Sequence, residues 1–499
     1  MSYIIGIDIG TTATKGLLYD FDGKEICSKD HGYPLIQDEI DQAEEDPALI
    51  FECVEDIIKD LSHRANGHIA AISWSSQMHS LIGLDRDKNP ITNTITWADN
   101  RSKYEVAQAK EDGLGMRIYN LTGIPIHPMA PVYKLLWLKK EKPSLFSQVR
   151  YWVGIKEYVL YRLNGKFNID VAMAAGTGLL NIESLQWDKE LLGLTSITED
   201  QLPTIVSTTS ILPNIHPELI KKLGLSDDTK LVAGASDGYL STIGVGVIGN
   251  QEFVMNVGTS GAIRTLSKKP DLDEKARNFC YAAANDQFLL GGPVNNGGII
   301  YEWAKKALFD YDENINLIEL AKNVPAGSNG LIFHPYLGGE RAPLWNSDAR
   351  GSFIGLNRSH KKQHFARSVL EGIVMNLFDA ALPMFENSGR PEYIRVTGGF
   401  MGSEFIRQLV ANVFNVPIIS MKTHESGTLA AMFLARLALG ISKDFEDIKK
   451  YAFDDKIYKP DQKEVAIYQE LFPLYQQLVN QIESSYTQIA DFQKKHPEL

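Results

Sequence analysis

The stretch Ile4-Ile5-Gly6-Ile7-Asp8-Ile9-Gly10-Thr11-Thr12-Ala13-Thr14-Lys15-Gly16-Leu17-Leu18-Tyr19-Asp20 restricts what this chain can become more than any other. Apolar residues fill both flanks while the centre is small, polar and hydroxyl-rich, which predicts two strands joined by a tight turn. Gly10 lets the backbone approach a ligand closely. Successive backbone N–H groups there can form an anion-binding concavity, to which Thr11, Thr12 and Thr14 add hydroxyl donors and Lys15 a cation. Asp8, still on the first strand, puts a carboxylate beside that anion site, an arrangement that makes sense with a divalent cation between them. A nucleotide with magnesium fits this pattern. An ordinary hairpin turned by glycine and threonine fits the stretch alone as well.

The element recurs. Phe253-Val254-Met255-Asn256-Val257-Gly258-Thr259-Ser260-Gly261-Ala262-Ile263-Arg264 is again apolar strand, Gly-Thr turn, apolar strand. Each half also ends a later strand in glycine, at Gly234 in the first and Gly398-Gly399 in the second. Two like hairpins from two halves could face each other and clamp a polyphosphate from both sides. At 499 residues the chain is too long for one core and should divide in two. Gly244 to Asn250 is the expected linker, giving domains 1–247 and 248–499.

Composition narrows the partners. A formal net charge of −12 argues against nucleic acid or an anionic membrane, so an anionic ligand must be held by local donors. The three cysteines, Cys27, Cys53 and Cys280, form no C-x-x-C pair and suggest neither a disulfide framework nor a zinc knuckle. The chain enters a strand at once with no basic leader, and no run approaches the roughly 18 apolar residues of a membrane span. A reducing, cytoplasmic compartment is expected. A homodimer is an open possibility for the assembly.

Asp46 followed by Pro47 predicts a helix start, with Ile50, Val54, Ile57, Ile58 and Leu61 as its apolar stripe. Ile69 to Trp74 reads as a buried strand ending at Gln77-Met78-His79, and ligands of α/β sheets sit at strand ends. A Met-His pair is equally at home in a core. Thr94 to Arg101 reads as another strand end, where Trp97, Asp99 and Arg101 could stack and hydrogen-bond a sugar; Trp97 could also be packing alone. Lys230 to Gly238 runs a strand into glycines, presents Asp237 at its end and leads into a helical pattern.

Gly234-x-Ser236-x-Gly238 also matches a hydrolase nucleophile elbow, for which His334, His360, His364 and His424 supply later histidines. Gly244-x-Gly246-x-x-Gly249 matches a dinucleotide fingerprint but ends a helical pattern instead of opening one, so it reads as a linker. Asn295-Asn296-Gly297-Gly298 opens a helix whose N-terminus can receive a phosphate. Gly398 to Ser403, ahead of a helix from Glu404 to Phe414, offers the close backbone approach of an adenine site. Gly338 to Pro343 reads as a structural loop. His360 and His364, four apart among lysines, read as a solvated helix start instead of a metal pair. Gln462 to Phe492 reads as a docked helical tail with Leu471, Tyr475, Leu478, Ile482, Tyr486 and Ile489 on one face, kinked by Pro473.

These features add up to phosphoryl transfer from ATP to a hydroxyl. Neither a G-x-x-x-x-G-K-[ST] loop nor an H-R-D and D-F-G set is present. The sequence resembles the actin-like ATPases, and within them the FGGY family of carbohydrate kinases. Met129-x-Pro131-x-x-Lys134-Leu135-x-Trp137-Leu138-x-Lys140-Glu141 looks like that family's first signature. Gly351-x-Phe353-x-Gly355-Leu356, followed by His364-Phe365-x-x-Ser368-Val369-Leu370-Glu371, looks like its second. The resemblance implies two actin-like (ribonuclease H-like) α/β domains related by duplication, with a cleft between them.

It implies roles as well: Asp237 as catalytic base, Asp8 as a magnesium carboxylate, and Gly10, Thr11, Thr12 and Lys15 as the first phosphate loop. Thr259 becomes the second loop, and Gly298, Gly399 and Ser403 nucleotide contacts. Gln77, Met78, His79, Trp97, Asp99 and Arg101 would line the substrate site together with Asp237. Met78-His79, where glycerol kinases carry Arg-Glu, disfavours glycerol. Thr96 to Arg101 and Ile124 to Met129 look most like gluconate kinases, so D-gluconate is the expected substrate, with xylulose, ribulose or another polyol as the alternative. Arg101, Lys134 and His79 are the candidate cations for its carboxylate. An actin-like ATPase without a sugar substrate, or a hydrolase built on Ser236, are readings from other classes.

Overall fold

A computed structural model of the protein describes residues 2–284, 286–309, 316–422 and 425–496. The opening stretch is the predicted hairpin, β1 (Ser2–Ile9) and β2 (Ala13–Asp20), paired antiparallel with Asp8 opposite Lys15. Their sheet continues to β3 (Glu25–Gly32) on one side and, in parallel, to β4 (His68–Ser76) and β5 (Lys230–Leu231) on the other. The central strand β1 is buried almost throughout because helix α1 (Pro47–Arg64) covers one face with Ile50, Val54, Ile57, Ile58 and Leu61. Asp46 caps that helix, accepting from the N–H groups of Ala48 and Leu49, which satisfies two otherwise orphaned donors.

The second half repeats the plan. Strands β6 (Glu252–Val257) and β7 (Gly261–Ser267) form an antiparallel hairpin. β8 (Gln287–Val294) pairs with β7, while β9 (Tyr393–Thr397) and β10 (Ile418–Met421) run parallel on the far side of β6. Third, second, first, fourth, fifth is the strand order of both sheets, and every pairing has the same sense in both. The second sheet adds an edge strand at each end, Phe279–Ala284 and Asp454–Tyr458. The paired hairpins are thus the core of two like halves, the duplicated two-domain actin-like architecture that the family resemblance implies.

The halves interlock instead of merely touching. Helix α2 (Asp237–Ile243) leads out of the first half, and helix α3 (Ser426–Ala438) of the second lays Leu429, Met432 and Ala435 against Ile4, Leu17 and Ala71 of the first sheet. A Cβ on Gly6 would stand 2.4 Å from the Thr428 carbonyl oxygen, so β1 needs a glycine there for the helix to seat. Residues 244–251 connect the halves without strand or helix, so the dinucleotide-like glycines fall in the connection.

Some expectations are corrected. Gly234, with φ 71, follows the fifth strand of its sheet, whereas Gly398, with φ 95, follows the fourth of the other, so these two glycines are not equivalent positions. Between Thr94 and Arg101 only Thr94–Ile95 is strand. The tail helix, Gln462–Lys495, runs on through Pro473 and buries Tyr468, Leu471, Tyr475 and Tyr486, while Ile489 stays exposed. Among the described residues one helix, Lys362–Ser388, is long and apolar enough to cross a membrane by length and composition, but 94% of its apolar window is buried inside the protein, in the core of the second half.

Candidate active site between the two halves

The first hairpin turn is held rigidly. Gly10 N–H donates to the Ala13 carbonyl at 3.0 Å, and Tyr33 closes the loop from behind by donating its hydroxyl to the Gly10 carbonyl. Trp97 Nε1 donates to Thr11 Oγ1 at 2.8 Å, Thr11 donates on to Gln77 Oε1 at 3.1 Å, and Gln77 Nε2 donates to both carboxyl oxygens of Glu45. Burial pushes the Glu45 carboxyl up to about 8. Gln77 is thus a brace beneath the turn, 1% exposed. Thr12 stays exposed at the tip, while Lys15 Nζ pairs with Glu425 Oε1 at 2.5 Å.

The second turn is braced differently. Gly298 and Ile299, at the start of a helix running from Gly298 to Ala307, donate their N–H groups to the carbonyls of Gly258 and Thr259 at 2.8 and 3.0 Å. Those donors are committed to the loop, so Gly298 supports the turn in this structure and its N–H does not point at a ligand. Gly258, Gly399 and Gly402 each face open space where a side chain would be. Ser403 spends its hydroxyl as the cap of the helix Glu404–Phe414, accepting from Phe405 N–H at 3.2 Å.

Both turns open onto one cavity of about 450 Å³, within the usual range for a small-molecule site. Asp8, Thr11, Ser75, Met78, His79 and Trp97 line it from the first half, and Ser260, Gly261, Ala262, Arg264, Tyr281 and Arg341 from the second. Asp237, at the first position of α2, projects into it between them. Its Oδ1 accepts from the Gly238 N–H at 2.6 Å. Removal from bulk water, reinforced by the charge of Asp8 and opposed by Arg264, pushes the Asp237 carboxyl up to about 6. A carboxylate held near the working pH is a better proton acceptor than an ordinary one. Burial likewise raises Asp8, whose Oδ1 accepts from Ser75 Oγ at 2.5 Å, and the nearby Glu425 charge raises it further.

Of the residues named from the sequence, the cavity brings together Asp8, Thr11, Met78, His79, Trp97 and Asp237. Gly10, Thr12, Lys15, Gln77, Thr259, Gly298, Gly399 and Ser403 stand off its wall. Asp99 and Arg101 also lie outside it. Asp99 is 1% exposed, accepts from the Ala43 N–H and holds Arg101, which also pairs with Glu44 and stacks on Trp137 at 4.7 Å. That charge is already neutralised. Lys134 is fully buried, donating to the carbonyls of His79 and Thr96. His79, with φ 66, bonds the Gly176 carbonyl through Nδ1, and burial pushes it down to about 3, so its ring is neutral. None of the three candidate cations faces the cavity as a free positive charge.

The cations that do face it, Arg264 and Arg341, were not singled out in the sequence. Ser260 and Gly261, where the turn enters the strand, reach the wall with Ala262 and Arg264, the last two on one face of the strand. A charge interrupting an apolar strand at its fourth residue is the signal that could have found Arg264. Ser236 turns its hydroxyl to the Tyr239 N–H as the cap of α2 and lies off the cavity wall. His334 is buried between Ser352 and the Tyr475 carbonyl, His360 and His364 close the start of their helix, and His424 lies outside the described residues. No cluster of three or more metal-ligating side chains exists among the described residues.

Comparison with known proteins decides the family. Residues 3–244 match the N-terminal domain, and residues 253–439 the C-terminal domain, of the FGGY family of carbohydrate kinases. This chain belongs to that family. It is an ATP-dependent sugar kinase, 40% identical to a gluconokinase of Bacillus subtilis (strain 168) over 99% of this chain and 98% of that protein. A xylulose kinase of the same organism is 29% identical over 99% of the kinase and all of its own length. Among solved structures, a gluconate kinase from Lactobacillus acidophilus superposes with a TM-score of 0.96 at 56% identity, covering 98% of the kinase and 99% of that chain. A ligand-bound xylulose kinase from the same species gives 0.97 at 55%, covering 98% and 100%.

Proposed function

We propose that the kinase transfers the γ-phosphoryl group of ATP to the C6 hydroxyl of D-gluconate, yielding 6-phospho-D-gluconate and ADP. The observation that carries this reading is the position of Asp237: its carboxylate, pushed up to about 6, lies in the same cavity onto which both Gly-Thr hairpins open. Asp237 takes the hydroxyl proton as the oxygen attacks phosphorus in line, so phosphorus gains the sugar oxygen and loses the ADP oxygen. Backbone N–H groups and hydroxyls of the two turns, Gly10 to Thr12 and Gly258 to Ser260, hold the phosphates from opposite sides. Lys15 leaves Glu425 to join them. Gly298, Gly399 and Ser403 border the open face where the nucleoside lies.

Asp8 and Glu425 crowd like charge at one end of the cavity, which favours a cation there. Magnesium suits that site, since it takes one or two carboxylates and completes its shell with phosphates and water. It would be held by Asp8 and would neutralise charge on the polyphosphate. The division into domains 1–247 and 248–499 places this chemistry between them, and closure would exclude the water that otherwise hydrolyses ATP. Three free thiols suit a reducing cytoplasm.

A xylulose kinase is the second reading, favoured by the 55% identity to the Lactobacillus acidophilus protein of that description. ADP release coupled to a dehydrogenase, with gluconate, xylulose, ribulose and glycerol in turn, separates them. Gluconate should give the highest kcat/KM. A higher value for xylulose transfers the assignment to the second reading.

A further inference from the structure

The cavity is polarised. Asp8, Glu425 and Asp237 gather at the hairpin side, where Lys15 neutralises Glu425. Beyond Asp237 the wall carries Arg264, whose charge is felt by Asp237, and Arg341; neither forms an ion pair with a carboxylate among the described residues. Arg264 reaches the cavity wall with its Nε buried and without a hydrogen-bond partner. Arg341 Nε is buried and unpartnered too, while Nη2 donates to the Val294 carbonyl at 3.1 Å and the guanidinium lies over the Trp97 ring at 5.3 Å. The adjacent Glu340 does not satisfy it. That carboxylate accepts instead from the N–H of Asn295 and of Arg341 itself, and from the side chains of Asn296 and Asn376.

The remaining neighbours are neutral: His79, Met78, Met129, Phe279 and Tyr281. Two guanidinium groups share a partly dry pocket: burial pushes Arg341 down to about 10, Glu340 offsets part of that and Arg264 adds to it, so an anion entering the pocket is favoured. Arg264 acts on Asp237, Arg264 acts on Arg341, and Arg341 acts on His79 and lies over Trp97. A substrate with its reacting hydroxyl at Asp237 shares the cavity with both guanidinium groups.

We propose that Arg341, with Arg264 beside it, binds the carboxylate at the far end of the substrate and so sets the preference for a sugar acid over a neutral polyol. This rests on the gluconate reading and names the groups that enforce it. A guanidinium fork matches a carboxylate in geometry as well as charge. Because Nη2 is anchored on Val294, the fork is held in place before the substrate arrives.

The test compares D-gluconate with D-glucitol, the same six-carbon chain with a hydroxymethyl group in place of the carboxylate. Both are titrated calorimetrically without ATP and assayed by ADP release. Wild type should bind gluconate far more tightly than glucitol. Arg341→Met should weaken gluconate binding and raise its KM by about ten- to a hundredfold, the value of lost hydrogen bonds to a charged group, and should leave glucitol binding within a few-fold of wild type. Arg341→Lys, which keeps the charge and loses the fork, should fall between. Equal loss for both ligands, or a gluconate-to-glucitol ratio unchanged in Arg341→Met, overturns the assignment while leaving gluconate phosphorylation intact. Wild type that turns over xylulose but not gluconate sinks the underlying reading instead.

Discussion

Acidification should silence this kinase through one named group. The Asp237 carboxyl, open to the cavity but shielded from bulk water by its walls, is pushed up to about 6, because that shielding and the Asp8 charge raise it more than Arg264 and the Gly238 N–H lower it. A general base works only when deprotonated, so kcat/KM follows that fraction: about nine-tenths at pH 7, half at pH 6 and about one-tenth at pH 5. Below pH 6 the rate should therefore fall by about a factor of ten per pH unit. Gluconate, an ordinary carboxylate, stays ionised across this range and adds no break of its own. Coupled ADP release at subsaturating gluconate, from pH 4.5 to 8, reads the profile directly. Asp237→Asn should lower kcat by about 10²- to 10⁴-fold and abolish the acid limb while ATP still binds. Arg264→Met, by removing the cation that favours the charged form, should move the limb upward. A break near the ordinary carboxylate value, or an Asp237→Asn enzyme with normal kcat and the same limb, would refute the role given to this residue.

Other consequences are structural. Gly6→Ala places a methyl 2.4 Å from the Thr428 carbonyl oxygen and should cost about 1–3 kcal/mol as overpacking, seen as a lower melting temperature. Lys156, fully buried and paired with Asp170, also donates to the Ala233 carbonyl at 3.1 Å. Lys156→Met strands a buried carboxylate and should destabilise by about 3–5 kcal/mol, measured by denaturant melting. Ser236→Ala loses only a long cap bond of 3.4 Å to the Tyr239 N–H, so kinase activity should persist; its loss together with labelling of Ser236 by an acylating probe would favour a hydrolase.

The framework was legible because it depends on short-range pattern. Strand periodicity and the Gly-Thr turns at Gly10 and Gly258 announced two hairpins, and a carboxylate at a strand end announced Asp237. What the sequence hid depends on long-range partners. Asp99 and Arg101 have the chemistry of sugar-binding residues, yet with Glu44 they neutralise one another beneath the surface. Lys134 looked like an available cation and is consumed by two carbonyls. Gln77 looked like a ligand contact and braces Thr11. Arg341 sits in a loop with no periodicity, and only the packing of that loop against Trp97 and Val294 brings it to the cavity. The Gly398 position shows the same limit, since its backbone packs against Val257 at distances no Cβ permits.

The most direct measurement is a crystal structure of the enzyme with gluconate and a non-hydrolysable ATP analogue. The terminal phosphate should lie between the Gly10 to Thr12 and Gly258 to Ser260 turns, with the C6 hydroxyl of gluconate within hydrogen-bond reach of Asp237, about 2.6–3.2 Å. A triphosphate held by one turn alone, or a sugar hydroxyl directed away from Asp237, would contradict the account.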